Sequence, residues 1–160
     1  MLDFWQMFIR ILIALLLGAL MGLERERIGK EAGIRTSMIV CSGATIFTLA
    51  GLAIPYIIGT SPENVSEILA RNSGFLSILA NIVVGIGFLG AGIIIKTEEK
   101  IHGLTTAAII WLTAAIGLLV GIGLIKLAVF STILISSILY LLRIFGIVEK
   151  IKPKNNIDNK

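Results

Sequence analysis

At 160 residues with 56% hydrophobic side chains and a mean hydropathy of +0.98, the chain falls outside the range of a water-soluble domain, where about 45–50% apolar is usual. Fourteen Lys and Arg against ten Asp and Glu give a formal net charge of +4. In a soluble protein that excess would suggest nucleic acid, but here the basic residues gather between apolar runs, so the expected acidic partner is a lipid surface and nucleic acid is excluded. Lone Cys41 allows no internal disulfide and reads as a small buried hydrophobe.

The first apolar run, about Phe4 to Leu23, holds Gln6 and Arg10 and ends in charge without a cleavage-like site, so it is expected to be a membrane span rather than a cleaved signal. Gly18 and Gly22 form a small-xxx-small pair near its end, the mark of a packing face. Arg10 shares its end of the span with Asp3 and Gln6 and is expected to snorkel to the nearer interface. The most charged stretch, Glu24 to Thr36, follows. A second, charge-free span runs from Thr36 to Pro62, and Pro55 is expected to kink or end its helix because it lacks an amide hydrogen. The polar connection Gly59 to Asn72 holds Ser61-Pro62-Glu63, a candidate start for a short interfacial helix.

The third span is about Phe75 to Ile95, followed by a short charged loop through Lys100. The fourth is about Leu104 to Val120, and Gly121-Ile122-Gly123 reads as a tight turn. The fifth is about Leu124 to Leu142, with Lys126 near enough to its start to snorkel. Residues 1–146 are thus expected to form one transmembrane domain and 147–160 a basic, disordered cytoplasmic tail broken at Pro153. Each charge-free interval around spans three and four exceeds the roughly 20 residues a helix needs to cross the hydrocarbon core. The fold class is therefore all-α integral membrane, a bundle of five spanning helices. Lys and Arg follow spans one, three and five, whereas the opposite side holds only Arg71, with Arg10 and Lys126 near span ends. That bias places the N-terminus outside and the C-terminus in the cytoplasm.

Gly85-x-Gly87-x-x-Gly90 matches the dinucleotide fingerprint by letter, but that motif needs a strand, an opening helix and a later acidic residue in a soluble βαβ unit. Inside an uncharged span, Gly85, Gly87, Gly90 and Gly92 are expected instead to bring neighbouring helices close together. Glu24, Arg25, Glu26, Arg35, Thr36, Thr105 and Thr106 are expected to form a polar cluster at the cytoplasmic boundary, with Glu24 paired to Arg35 across the first loop. The plain alternative is ion pairing of Glu24 with Arg27 and of Glu26 with Lys30 along one helix. Thr105 and Thr106 fall in the first turn of span four, where they can cap free amides or, with the helix dipole, hold an anion. His102 beside them is expected to be solvated. Asn81 is the one amide deep in span three and reads as interhelical glue. No carboxylate lies in mid-span, so a dehydrated Mg²⁺ site is hard to build, no cofactor is expected, and no nucleophile-plus-base pair suggests an enzyme.

Four blocks in order, Gly22-Leu23-Glu24-Arg25-Glu26, Ala32-Gly33-Ile34-Arg35-Thr36 leading to Ser42-Gly43-Ala44, Gly85 to Gly92, and Gly103-Leu104-Thr105-Thr106-Ala107-Ala108 with Trp111 and Ala114 to Gly117, resemble the MgtC/SapB family of small bacterial membrane proteins. The resemblance implies a multi-pass inner-membrane domain associated with adaptation to magnesium limitation and, in pathogens, with survival inside host cells. It also implies a link to Mg²⁺ homeostasis and to restraint of the membrane ATP synthase. Where many members carry Arg and, four residues later, Gln in span three, this chain has Ser77 and Asn81. It also stops without the soluble C-terminal regulatory domain of longer members, so regulation through one is not expected. The expected role is regulation of a membrane partner through the small-residue faces of spans three and four. Membrane lipids and a second copy of the chain are further expected partners. The rival readings are a transporter of Mg²⁺ or another small ion, and a binder of an anionic lipid or phosphate at the start of span four.

Overall fold

The computed structural model describes residues 3–30, 32–59, 68, 74–97 and 101–145. Within them lie α1 (Phe4–Arg27), α2 (Ile34–Ile58), α3 (Gly74–Ile93), α4 (Leu104–Ile122) and α5 (Ile125–Ile144), with a small hairpin of β1 (Ile95–Lys96) and β2 (Ile101–His102) between α3 and α4. All five helices are long and apolar enough to cross a membrane. At about 1.5 Å per residue even the shortest reaches about 28 Å, close to the roughly 30 Å hydrocarbon core. The proposed starter helix at Ser61, the tail from 147, Arg71 and Glu98 to Lys100 lie outside the described residues.

Two tight reversals set the bundle's order. After Arg27 the amides of Gly29 and Lys30 donate back to the carbonyls of Glu26 and Arg25 (3.1 Å each), and Gly29 adopts a positive φ of 63°. Such a closing motif satisfies carbonyls that a helix end leaves free and turns the chain into α2. It repeats after α4: Gly123, at φ 104°, and Leu124 donate to Val120 and Leu119 at 3.1 and 2.8 Å. The expected turn at 121–123 therefore falls at Gly123, and Gly121 is still helical. Between α3 and α4 the chain folds as an antiparallel hairpin, Ile95 opposite His102 and Lys96 opposite Ile101, where a plain loop was expected.

α2 and α4 form the middle of the bundle. α1 packs on both, α5 closes over α1 and α4, and α3 leans on α4 and α2. The closest approaches are made by glycines of α1 and α4 against α2. A methyl group on Gly18 would sit 2.6 Å from the Ser37 carbonyl oxygen and 2.9 Å from Met38 Cα, and one on Gly22 would sit 2.6 Å from Ile34 Cα. Gly117 faces the backbone of Cys41, and Gly121 faces the Thr48 side chain, 2.5 Å from the position of an added Cβ. Gly18 and Gly22 thus form the packing face expected on the first span, whereas the close contacts also expected on span three are largely missing. There Gly85, Gly87 and Gly92 have nothing within 4 Å of an added Cβ, and Gly90 alone meets a neighbour, Ala107 of α4, at 3.6 Å. The reason is position: α3 is peripheral and shows most of its surface, whereas α2 and α4 are enclosed on several sides.

Hydroxyls add a second kind of cohesion. Thr45 in α2 lies 3.0 Å from the Cys41 carbonyl in its own helix and 2.8 Å from the Gly117 carbonyl in α4, so one proton is shared between two helices. Thr48, Thr113 and Thr132 bond back to the carbonyl four residues earlier, which lets fully buried hydroxyls sit in an apolar interior at little cost. Pro55 does not break α2: the helix continues one turn to Ile58, and the Gly59 amide donates to the Pro55 carbonyl at 3.0 Å. Only one ladder bond is lost so near the end.

Candidate functional site

Three places bring polar groups to the membrane-spanning bundle. The first is the charged end, where α1 stops and α2 and α4 begin. Arg25 is buried and its guanidinium closes on neighbouring Glu24, with Nε 2.6 Å from Oε2. That neighbour replaces the expected Arg35, which is exposed on α2. Glu26 turns the other way: its carboxylate accepts the Ile34 amide at 3.0 Å, so it caps the start of α2 rather than pairing with Lys30. The cause is the reversal at Gly29, which removes Lys30 from the α1 helical face. A carboxylate at a helix N-terminus meets both a free amide and the positive end of the dipole.

Thr36 is half-buried and lines a cleft of about 410 Å³ with Phe88, Gly92 and Ile110, between α2, α3 and α4. Thr105 is exposed and Thr106 is buried. Neither caps α4, whose N-cap is Gly103 at φ 81° with no side-chain cap bond. A Cβ on Gly103 would run into the Ile93 carbonyl, so the hairpin folds α4's first residues tightly under the end of α3. The expected cluster is thus split: Glu24 with Arg25, Glu26 on the α2 amides, Thr36 facing α3, and Arg35 and Thr105 outward. Among the described residues no group of three His, Cys, Asp or Glu side chains is arranged to hold a metal ion.

The second place is a groove of about 620 Å³ between α2 and α3, with Gly43, Ala44 and Phe47 on one wall and Asn81, Gly85 and Leu89 on the other. Asn81 is exposed there and makes no side-chain hydrogen bond among the described residues. It does not bind α3 to the rest of the bundle, contrary to the expectation of interhelical glue. Around it the open glycines and Phe88, 82% exposed, leave a long face of α3 uncovered.

The third place is at the opposite end. Arg10 does not simply snorkel: its Nη1 donates to the Gly121 carbonyl at 2.7 Å, and Nη2 lies 2.9 Å from where a Cβ on Gly123 would stand. A cation there answers the negative end of the α4 dipole. Sequence spacing could not show this pairing, because the acceptor is a backbone carbonyl 111 residues away.

The MgtC family model matches residues 11–146, which include the first two places and, of the third, Gly121 and Gly123 but not Arg10. The chain belongs to the MgtC family. It is 41% identical over 135 residues to Protein MgtC of Salmonella typhimurium, covering 84% of this chain and 52% of that protein. Protein MgtC of Brucella abortus is 40% identical over 130 residues, with 81% and 48% covered. Protein SrpB of Synechococcus elongatus is 36% identical over 138 residues, with 81% and 71% covered. The chain spans about half the length of the MgtC relatives it matches. No solved structure matches it significantly. MgtC-family membership and five apolar helices make it a multi-pass membrane protein.

Proposed function

We propose that this MgtC-family chain acts in the bacterial inner membrane, N-terminus outside and C-terminus in the cytoplasm, in adaptation to low Mg²⁺, and that it does so by regulating a membrane partner rather than by catalysis. The observation that carries the reading is the carboxamide of Asn81, without a partner among the described residues, in the groove between α2 and α3. An amide in hydrocarbon is costly unless bonded, and small residues beside it let another helix backbone come close. The expected partner is therefore a transmembrane helix with a small-residue face and a hydrogen-bonding side chain opposite Asn81; the family resemblance suggests the membrane ATP synthase as one source. The small residues Gly117 and Gly121 of α4 are used inside the bundle, which leaves α3 as the docking helix.

Two measurements test this together. Purified chain in vesicles loaded with a Mg²⁺-sensitive dye conducts no more Mg²⁺ than empty vesicles. In cells, Asn81→Leu abolishes the low-Mg²⁺ growth advantage with the protein still present at wild-type level. Metal-dependent flux in the vesicles supports the transporter reading, and an unaffected Asn81→Leu strain removes the docking role.

A further inference from the structure

Arg10 also opens onto a cavity of about 350 Å³ near the Asp3 end of the bundle, walled by Met7, Leu49, Leu52, Ala53, Tyr56 and Ile122. A guanidinium has five N–H donors. One is used on Gly121, and Arg10 has no other partner among the described residues. Among the described residues no carboxylate pairs with it: Glu24 is taken by Arg25 at the far end, and Asp3 is exposed at the start of α1. An intramembrane cation with open donors, facing an apolar chamber, makes a counter-charge valuable, and none of the described residues supplies one.

Depth identifies what can supply it. Arg10 is six residues into α1 from Phe4, about 9 Å along the axis. Exposed Phe4, Trp5 and Phe8 pack edge-on and stacked around that helix start, with Phe4–Trp5 and Trp5–Phe8 centroids 5.9 and 6.0 Å apart. Trp5 among them marks the headgroup level, where tryptophan is enriched. The guanidinium thus lies just below the plane of lipid phosphates, and the wall residues are those an acyl chain can cover. A free phosphate would gain one cation and lose its water to Leu49, Leu52 and Ala53, whereas an amphiphile places its charge on Arg10 and its chain on that wall.

We propose that this cavity is a binding site for the phosphate head of an anionic phospholipid, held by Arg10 with its acyl chain along α2. Bound there, the lipid neutralises Arg10 without competing for Gly121, so it steadies the α1–α4 contact. The site is independent of the α3 groove and of the regulator reading.

The test is native mass spectrometry of the delipidated full chain in neutral detergent, titrated separately with phosphatidylglycerol, phosphatidylcholine and inorganic phosphate. The wild type retains phosphatidylglycerol about tenfold better than phosphatidylcholine, and inorganic phosphate does not compete. Arg10→Gln removes the preference. Since Arg10→Gln also removes the bond to Gly121, Ala53→Leu serves as the second variant: it fills the chamber, keeps every charge, and abolishes the preference with helicity unchanged. A phosphatidylglycerol preference that survives in Ala53→Leu belongs to the basic loops and overturns the proposal, as does equal retention of the two lipids or displacement by inorganic phosphate.

Discussion

Replacing Gly18 by Ala tests whether the bundle is held where the structure brings α1 against the backbone of α2. The new Cβ would stand 2.6 Å from the Ser37 carbonyl oxygen, 2.9 Å from Met38 Cα and 2.9 Å from Cys41 Cβ. Carbon atoms rest about 3.5–4.0 Å apart, and two of these neighbours are backbone, which cannot rotate aside. α1 must therefore withdraw from α2 by about 1 Å along a seam that also holds Met21 and Gly22. Overpacking of this kind costs about 1–3 kcal/mol, partly offset by about 1 kcal/mol of better helix propensity. Gly85→Ala meets nothing within 4 Å and keeps only the propensity gain. The two variants should thus differ by about 2 kcal/mol, the midpoint of those terms, with Gly18→Ala the weaker. The assay is equilibrium unfolding in mixed micelles at rising sodium dodecyl sulfate fraction, followed by circular dichroism. Equal stability of the two variants, or a weaker Gly85→Ala, would refute the packing argument.

Three further outcomes are expected from the same assay. Thr45→Val should cost about 0.6–1 kcal/mol because it removes the bond to Gly117 between helices, whereas Thr132→Val, which loses only its bond to Ala128 in the same helix, should be close to neutral. Glu26→Ala should cost about 1 kcal/mol through loss of the Ile34 amide cap, and Glu26→Gln, which keeps an acceptor oxygen, should recover most of it. At the charged end, Glu24→Ala should cost about 2 kcal/mol by stranding buried Arg25, and Arg35→Ala less than about 0.5 kcal/mol. A double-mutant cycle should accordingly couple Glu24 to Arg25 and leave Glu24 and Arg35 additive.

The spans themselves were legible because charge is absent from long runs and crowded between them, and the same pattern located the described reversals to within about a turn. α1 runs to Arg27, a turn beyond the apolar run's end at Leu23, since the helix stops where Gly29 can take a positive φ and not where polarity begins. Glycine spacing was less informative. It marks a helix that is able to pack closely but not whether that helix lies in the middle, so the glycine-rich α3 was favoured over Gly117, whose carbonyl accepts the Thr45 hydroxyl, and Gly121, which faces Thr48. That register has a visible signal, hydroxyls three residues apart on α2 opposite glycines four apart on α4. The partners of Glu26 and Arg10 were hidden for a common reason: both are backbone groups, and every residue carries those.

The regulator account stands most directly on the uncovered face of α3. A photoreactive amino acid at position 88, where Phe88 is 82% exposed beside the Asn81 groove, should capture a defined membrane protein in cells grown at low Mg²⁺. The same probe at position 16, where Leu16 is 70% exposed on α1, should capture none. Identical adducts from both positions, or none from position 88, would contradict docking through α3.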